Sequence, residues 1–185
     1  AGYPRKEDTV TLVLTAESAG AAMIELGMPF SDPLADGPVI QASSQTAIKN
    51  GVTIPWILET VSEIRKESEI PIALMGYINP ILKYGLNSFI KKCEEAGVDG
   101  LIIPDLPPEE ADEYVCLSKE NQISPILLVA PNTADKRISE ISTMAGDLIY
   151  CVAILGLTGS NVVSEGNLTT YLNRVKEFSS CPFVV

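Results

Sequence analysis

Glu25 and Asp36, two carboxylates eleven positions apart, are the residues of this chain best suited to chemistry. Glu25 follows the apolar run Ala21-Ala22-Met23-Ile24. A carboxylate held against apolar neighbours has its charged form disfavoured, so its pKa rises toward the range useful for a general acid/base. The stretch Gly27-Met28-Pro29-Phe30-Ser31-Asp32-Pro33-Leu34-Ala35-Asp36-Gly37-Pro38 then stops regular structure and brings Asp32 and Asp36 back over the end of that segment. Each residue also has an ordinary reading. Glu25 could be a solvated glutamate at a strand end, and Asp36 a turn aspartate that hydrogen-bonds its own backbone.

Composition narrows the chemistry further. The chain contains no histidine, which removes Ser-His and Cys-His nucleophile pairs and His-ligated metals and leaves acid/base work to Asp, Glu, Tyr or Lys. A net charge of -11 provides no basic footprint for nucleic acid or an anionic membrane. A phosphorylated small substrate stays open, because backbone N–H groups at helix starts hold phosphate without side-chain charge. Cys93, Cys116, Cys151 and Cys181 are widely spaced with no CxxC, which favours reduced thiols in a cytoplasmic protein over disulfides. No run approaches the roughly 20 apolar residues of a membrane span, and no signal-peptide pattern is present.

The elements that must position these residues alternate along the chain. After the turn Ala1-Gly2-Tyr3-Pro4, helical patterns are predicted over 5–19, 53–68, 80–96, 108–120, 134–144 and 167–178. Six apolar strand patterns fall at 21–26, 71–75, 99–103, 125–129, 147–152 and from 181. Continuous apolar strands separated by crossover helices imply a parallel α/β sheet, either doubly wound or part of a (β/α)8 barrel. No glycine-rich dinucleotide fingerprint follows any strand. The proline-rich and polar loops instead follow strand C-termini, where a barrel keeps its site.

Four segments, in collinear order across about 140 residues, resemble the tryptophan synthase alpha subunit family. They are Glu25 to Gln41, Met75-Gly76-Tyr77-Ile78-Asn79-Pro80, Gly97-Val98-Asp99-Gly100-Leu101-Ile102-Ile103-Pro104-Asp105-Leu106-Pro107, and Gly156-Leu157-Thr158-Gly159. The resemblance implies an α/β fold, a (β/α)8 TIM barrel, of which this chain carries about strands 2 to 7. The first strand and the C-terminal βα units would be lacking, so residues 1–185 are expected to form a single barrel domain incomplete at both ends.

The implied function is a lyase of tryptophan biosynthesis that cleaves indole-3-glycerol phosphate to indole and glyceraldehyde 3-phosphate by a retro-aldol reaction. By the same resemblance, Glu25 shuttles protons and Asp36 stabilises the indolenine N–H. Met75, Ile102, Tyr150, Thr158 and Gly159 become substrate-binding residues, and Pro29 and Asp32 lie near a partner. That partner is a tryptophan synthase beta subunit in an alpha2-beta2 heterotetramer. No metal and no cofactor is implied for this subunit; pyridoxal phosphate belongs to the beta subunit. Family members often carry Ala-Arg after the Thr-Gly pair, where Ser160-Asn161 stand here. Two rival readings are a non-catalytic partner that activates a beta subunit, and a related barrel enzyme acting on a different indole or sugar phosphate.

Overall fold

The structure, a computed structural model, describes residues 1–153 and 165–185. Six parallel strands form one sheet in sequence order: β1 (Ile24–Gly27), β2 (Ile72–Met75), β3 (Gly100–Ile102), β4 (Ser124–Val129), β5 (Ile149–Cys151) and β6 (Phe183–Val184). A doubly wound sheet reverses its strand order at a switch point. Here the order never reverses, so the crossover helices collect on one side and the other side curves inward as in a barrel.

The two faces follow from the two-residue period of a strand. One face carries Leu26, Ile72, Leu74, Leu101, Leu127, Val129 and Ile149, packed against the helices in the main core. The other carries Glu25, Met75, Ile102, Ile126 and Tyr150, with Ala73, Ile102 and Ile126 forming a smaller inner core. In a flat sheet β1 and β5 would lie about 19 Å apart, four strand spacings. Yet Glu25 on β1 and Tyr150 on β5 line the same cleft, which requires the sheet to curve.

Among the described residues eight α-helices surround the sheet: α1 (Asp8–Ser18), α2 (Pro38–Lys49), α3 (Ile54–Ile64), α4 (Ile78–Tyr84), α5 (Leu86–Ala96), α6 (Asp112–Glu120), α7 (Asp135–Ala145) and α8 (Glu165–Phe178). α3 buries Ile57, Leu58, Val61 and Ile64, the face that the helical period predicts, and its Thr53 hydroxyl caps Trp56 N. The single helix predicted over 80–96 is two, because Gly85 takes φ +97 and its amide closes α4 onto Ile81 and Leu82. The helix predicted over 108–120 begins as a short 3-10 turn, Pro108–Glu110, before α6.

α2 has no counterpart among the predicted elements. Its start was written in Gly37-Pro38, an extended N-cap followed by proline at the first helical position, where no amide is needed. Its one buried residue, Ala47, leaves it without the broad apolar stripe that marks a helix in sequence. Among the described residues, no helix is long and apolar enough to cross a membrane.

Candidate active site

The cleft at the C-terminal ends of β1, β2 and β5 has a volume of about 320 Å³. Glu25, Gly27, Met75 and Tyr150 reach it from the inner face of the sheet. Met28, Pro29 and Asp36 come from the loop after β1, Gly76 and Tyr77 from the loop after β2, and Ile40, Ser43 and Ser44 from α2. Ala1 and Tyr3 complete the wall.

Glu25 sits inside β1 rather than at its end, since the strand starts at Ile24 and not at Ala21. Its carboxylate makes no hydrogen bond or ion pair among the described residues. Water reaches it, yet the surrounding protein excludes enough solvent to disfavour charge, and the neighbouring Asp36 adds repulsion, so its pKa is raised. Tyr150 is raised as well, by burial and by the Glu25 charge across the cleft.

Local hydrogen bonds carry the loop back over β1. Met28 N donates to Met75 O at 2.7 Å, one step beyond the ladder, and Asp36 N closes a turn onto Pro33 O at 3.1 Å. Gln41 Nε2 holds the Asp36 carbonyl at 2.8 Å. The turn uses Asp36's backbone and leaves its carboxylate free of the self-capping that an aspartate in such a turn commonly makes. Burial raises the Asp36 pKa, while the Tyr77 hydroxyl beside it acts in the opposite direction. Close packing fixes the loop base: a Cβ at Gly76 would stand 2.6 Å from Met28 Cε and 3.0 Å from Met28 Cβ, so only glycine lets the two loops touch.

Several sequence expectations change here. The loop returns Asp36 to the cleft but not Asp32, which is exposed and accepts from Ser31 Oγ at 2.5 Å. Ile102 is fully buried in the inner core and does not line the cleft, because Met75, its register partner on β2, and Tyr150 pack over that core. Met75 and Tyr150 line the wall as expected, and Pro29 stands at its rim. Thr158 and Gly159 lie outside the described residues. Asp105 accepts from Ile78 N at 2.9 Å and so organises the loop after β2. Ile40, Ser43 and Ser44 were missed because α2 was missed; their spacing places them on one helical face.

A second concavity, about 380 Å³, opens on the outside of the same loops between Phe30, Asp32, Leu34, Ala35, Tyr77, Asn79 and Asp105. Leu34 is 86% exposed there. Among the described residues no cluster of His, Cys, Asp and Glu has the arrangement of a metal site.

A family model described as tryptophan synthase alpha chain matches residues 1–185. The tryptophan synthase alpha chain of Petrotoga mobilis is 47% identical over 185 residues, all of this chain and 72% of that protein. That of Roseiflexus sp. is 45% identical over 185 residues, again all of this chain and 71% of its length. The crystal structure of tryptophan synthase subunit alpha from Legionella pneumophila superposes with a TM-score of 0.91 at 37% identity, covering 99% of this chain and 68% of that one. A structure of the tryptophan synthase a2b2 complex from Pyrococcus furiosus superposes with a TM-score of 0.89 at 37% identity, covering 100% of this chain and 75% of that one.

Proposed function

The chain belongs to the tryptophan synthase alpha chain family, and we propose that Glu25 and Asp36 are the groups with which it carries out the alpha reaction. That reaction cleaves indole-3-glycerol phosphate to indole and glyceraldehyde 3-phosphate. The observation that carries the assignment is one cleft holding two carboxylates, neither with a cationic partner among the described residues, in different surroundings.

The retro-aldol step needs a proton delivered to indole C3, a proton removed from the side-chain hydroxyl, and support for the positive N–H of the transient indolenine. Protonated Glu25 donates to C3. As a carboxylate it then accepts the hydroxyl proton while the bond from C3 to the carbinol carbon breaks. The bonding pair returns to the ring and the carbinol becomes an aldehyde, so Glu25 ends as it began, protonated. Asp36, charged throughout, faces the indolenine N–H. This division suits the surroundings, since burial and the Asp36 charge both raise Glu25, while the Tyr77 hydroxyl opposes the rise that burial gives Asp36. Met75 and Tyr150 form the wall for the indole ring. Thr158 and Gly159, which follow β5 in the sequence, are proposed to close over the substrate on the strength of their family motif.

The partner is a beta subunit in an alpha2-beta2 assembly, the arrangement named for the Pyrococcus furiosus relative. The outer surface of the site loops, where Asp32 and Leu34 are exposed and Pro29 is half-buried, is the proposed contact. Four free cysteines suit the reducing cytoplasm, where we place the protein.

The assay is indole release from indole-3-glycerol phosphate, with binding of an unreactive analogue measured in parallel. Glu25→Gln should bind and not cleave. Retention of more than about a tenth of the rate would remove Glu25 from the chemistry, since such groups contribute roughly 100-fold or more.

A further inference from the structure

We propose that Tyr77 is a positioning residue for this reaction, its hydroxyl setting the Asp36 carboxylate toward the substrate nitrogen while Phe30 and Asp105 hold the ring in place. The proposal rests on the lyase reading above and extends it to a residue that never touches the reacting atoms.

Tyr77 leaves the end of β2 and stands at the N-cap of α4, 5% exposed. Its hydroxyl accepts from Ala35 N at 3.0 Å, so the residue immediately before Asp36 is tied to it. With that lone pair engaged, the hydroxyl proton remains for the Asp36 carboxylate beside it. The ring packs on Phe30 of the same loop, with centroids 5.3 Å apart and planes at 35°. Asp105 Oδ1 accepts from Ile78 N at 2.9 Å and fixes the backbone where Tyr77 leaves the strand. The phenol therefore joins the loops after β1 and β2, and Asp105 ties the second of these to the loop after β3.

Burial alone does not call for a tyrosine, because phenylalanine would fill the same space without a hydroxyl to satisfy. The hydroxyl's work is the pair of contacts to Ala35 and Asp36. Burial pushes its pKa up to about 12, so it stays a neutral donor at any pH at which the enzyme would work. The titratable groups that share the cleft with Asp36 are Glu25 from β1, Tyr77 from the loop after β2, Tyr150 from β5, and Tyr3 and the Ala1 amino group from the N-terminal segment, and Asp105 acts on Tyr77 from the loop after β3. Among the described residues no cation pairs with Asp36, which leaves the phenol as its one favourable side-chain neighbour.

The test is Tyr77→Phe, which keeps the ring and its contact with Phe30. Indole release should lose about 10-fold in kcat with KM within about twofold, the scale of one hydrogen bond acting on a transition-state contact. The acidic limb of the kcat profile should move to higher pH, because Asp36 loses the donor that lowers its pKa. In an Asp36→Asn background the same substitution should cost less than about twofold, since the two groups act as a unit. Wild-type kcat with an unmoved acidic limb would overturn the proposal, and so would equal costs in the two backgrounds. An NMR titration of the Asp36 side-chain carboxyl in Tyr77→Phe reads the contact without turnover. A raised midpoint supports it and an unchanged one refutes it, whereas failure of the wild-type protein to release indole would overturn the lyase reading instead.

Discussion

At the N-terminal ends of the strands the carboxylates are surrounded by donors. Asp99, just before β3, accepts from Arg65 Nη2 at 2.5 Å and from Ile72 N at 2.7 Å. The same guanidinium donates to Gly97 O at 2.8 Å and to Ile70 O at 2.6 Å, tying the end of α3 to the starts of β2 and β3. Asp147, just before β5, takes the Ser124 hydroxyl of β4 at 2.7 Å in a similar bridge between neighbouring strands. At the C-terminal ends, Glu25 and Asp36 face each other with neither paired to a cation among the described residues, the Ala1 amino group in the same cleft donating to Gly27 O instead, and burial and the Asp36 charge raise Glu25. The same residue types are placed for opposite ends. Below, each carboxylate is tied by a donor on a neighbouring element, Asp99 by a guanidinium and Asp147 by a hydroxyl, and holds strands in register; above, the carboxylates are left without an ion pair so that protons can move.

Substitutions should separate the two ends. Glu25→Gln should abolish indole release, by at least about 100-fold, with analogue binding retained. Asp36→Asn should follow with a loss also on the order of 100-fold, since it removes the charge facing the indolenine; turnover at the wild-type rate would reduce Asp36 to a turn residue. Asp99→Ala should do the reverse. It leaves the Arg65 guanidinium, with a side chain 16% exposed, on backbone carbonyls alone and removes the acceptor of Ile72 N, and should cost about 2–3 kcal/mol in denaturant unfolding while kcat stays within about twofold. A large loss of kcat at unchanged stability would mean that the lower network serves the chemistry after all.

The smallest effect concerns stability and pH. A carboxylate whose folded-state pKa is raised opposes folding at pH values above its unfolded value, and the penalty lifts as pH falls through the raised folded pKa. Glu25→Gln removes that penalty. Its Tm should therefore be slightly higher than wild type at pH 7, with the difference vanishing below about pH 4, where the glutamate is protonated in both states. An equal or lower Tm at pH 7 would show that Glu25 carries no electrostatic cost.

Most of this division was legible in the sequence, and the exceptions have physical causes. The apolar runs and crossover helices identified the parallel sheet, because a strand buried on both faces must be apolar throughout. Strand order decided against a doubly wound sheet, and pairing order is not written in local periodicity. Glu25 and Asp36 stood out through the abrupt change from an apolar run to a proline-bounded loop. Asp32 and Ile102 did not reach the cleft because loop path and inner-face packing act through contacts distant in sequence, the packing of Met75 and Tyr150 on the core around Ile102 among them. Tyr77 stands in the sequence only as a member of the segment Met75 to Pro80; the bond to Ala35, 42 residues away, reveals its connection to Asp36. α2 was missed because it rests on the rim of the cleft with little buried surface.

The most direct test of the account is an NMR titration of the side-chain carboxyl carbons of Glu25 and Asp36 in the substrate-free protein, each assigned through its amide variant. The account predicts midpoints for both above the ordinary values of about 4.3 for glutamate and about 3.9 for aspartate, with that of Glu25 falling when Asp36 is made asparagine. A Glu25 midpoint at or below its ordinary value, unmoved by Asp36→Asn, would contradict the uncompensated pair on which the assignment stands.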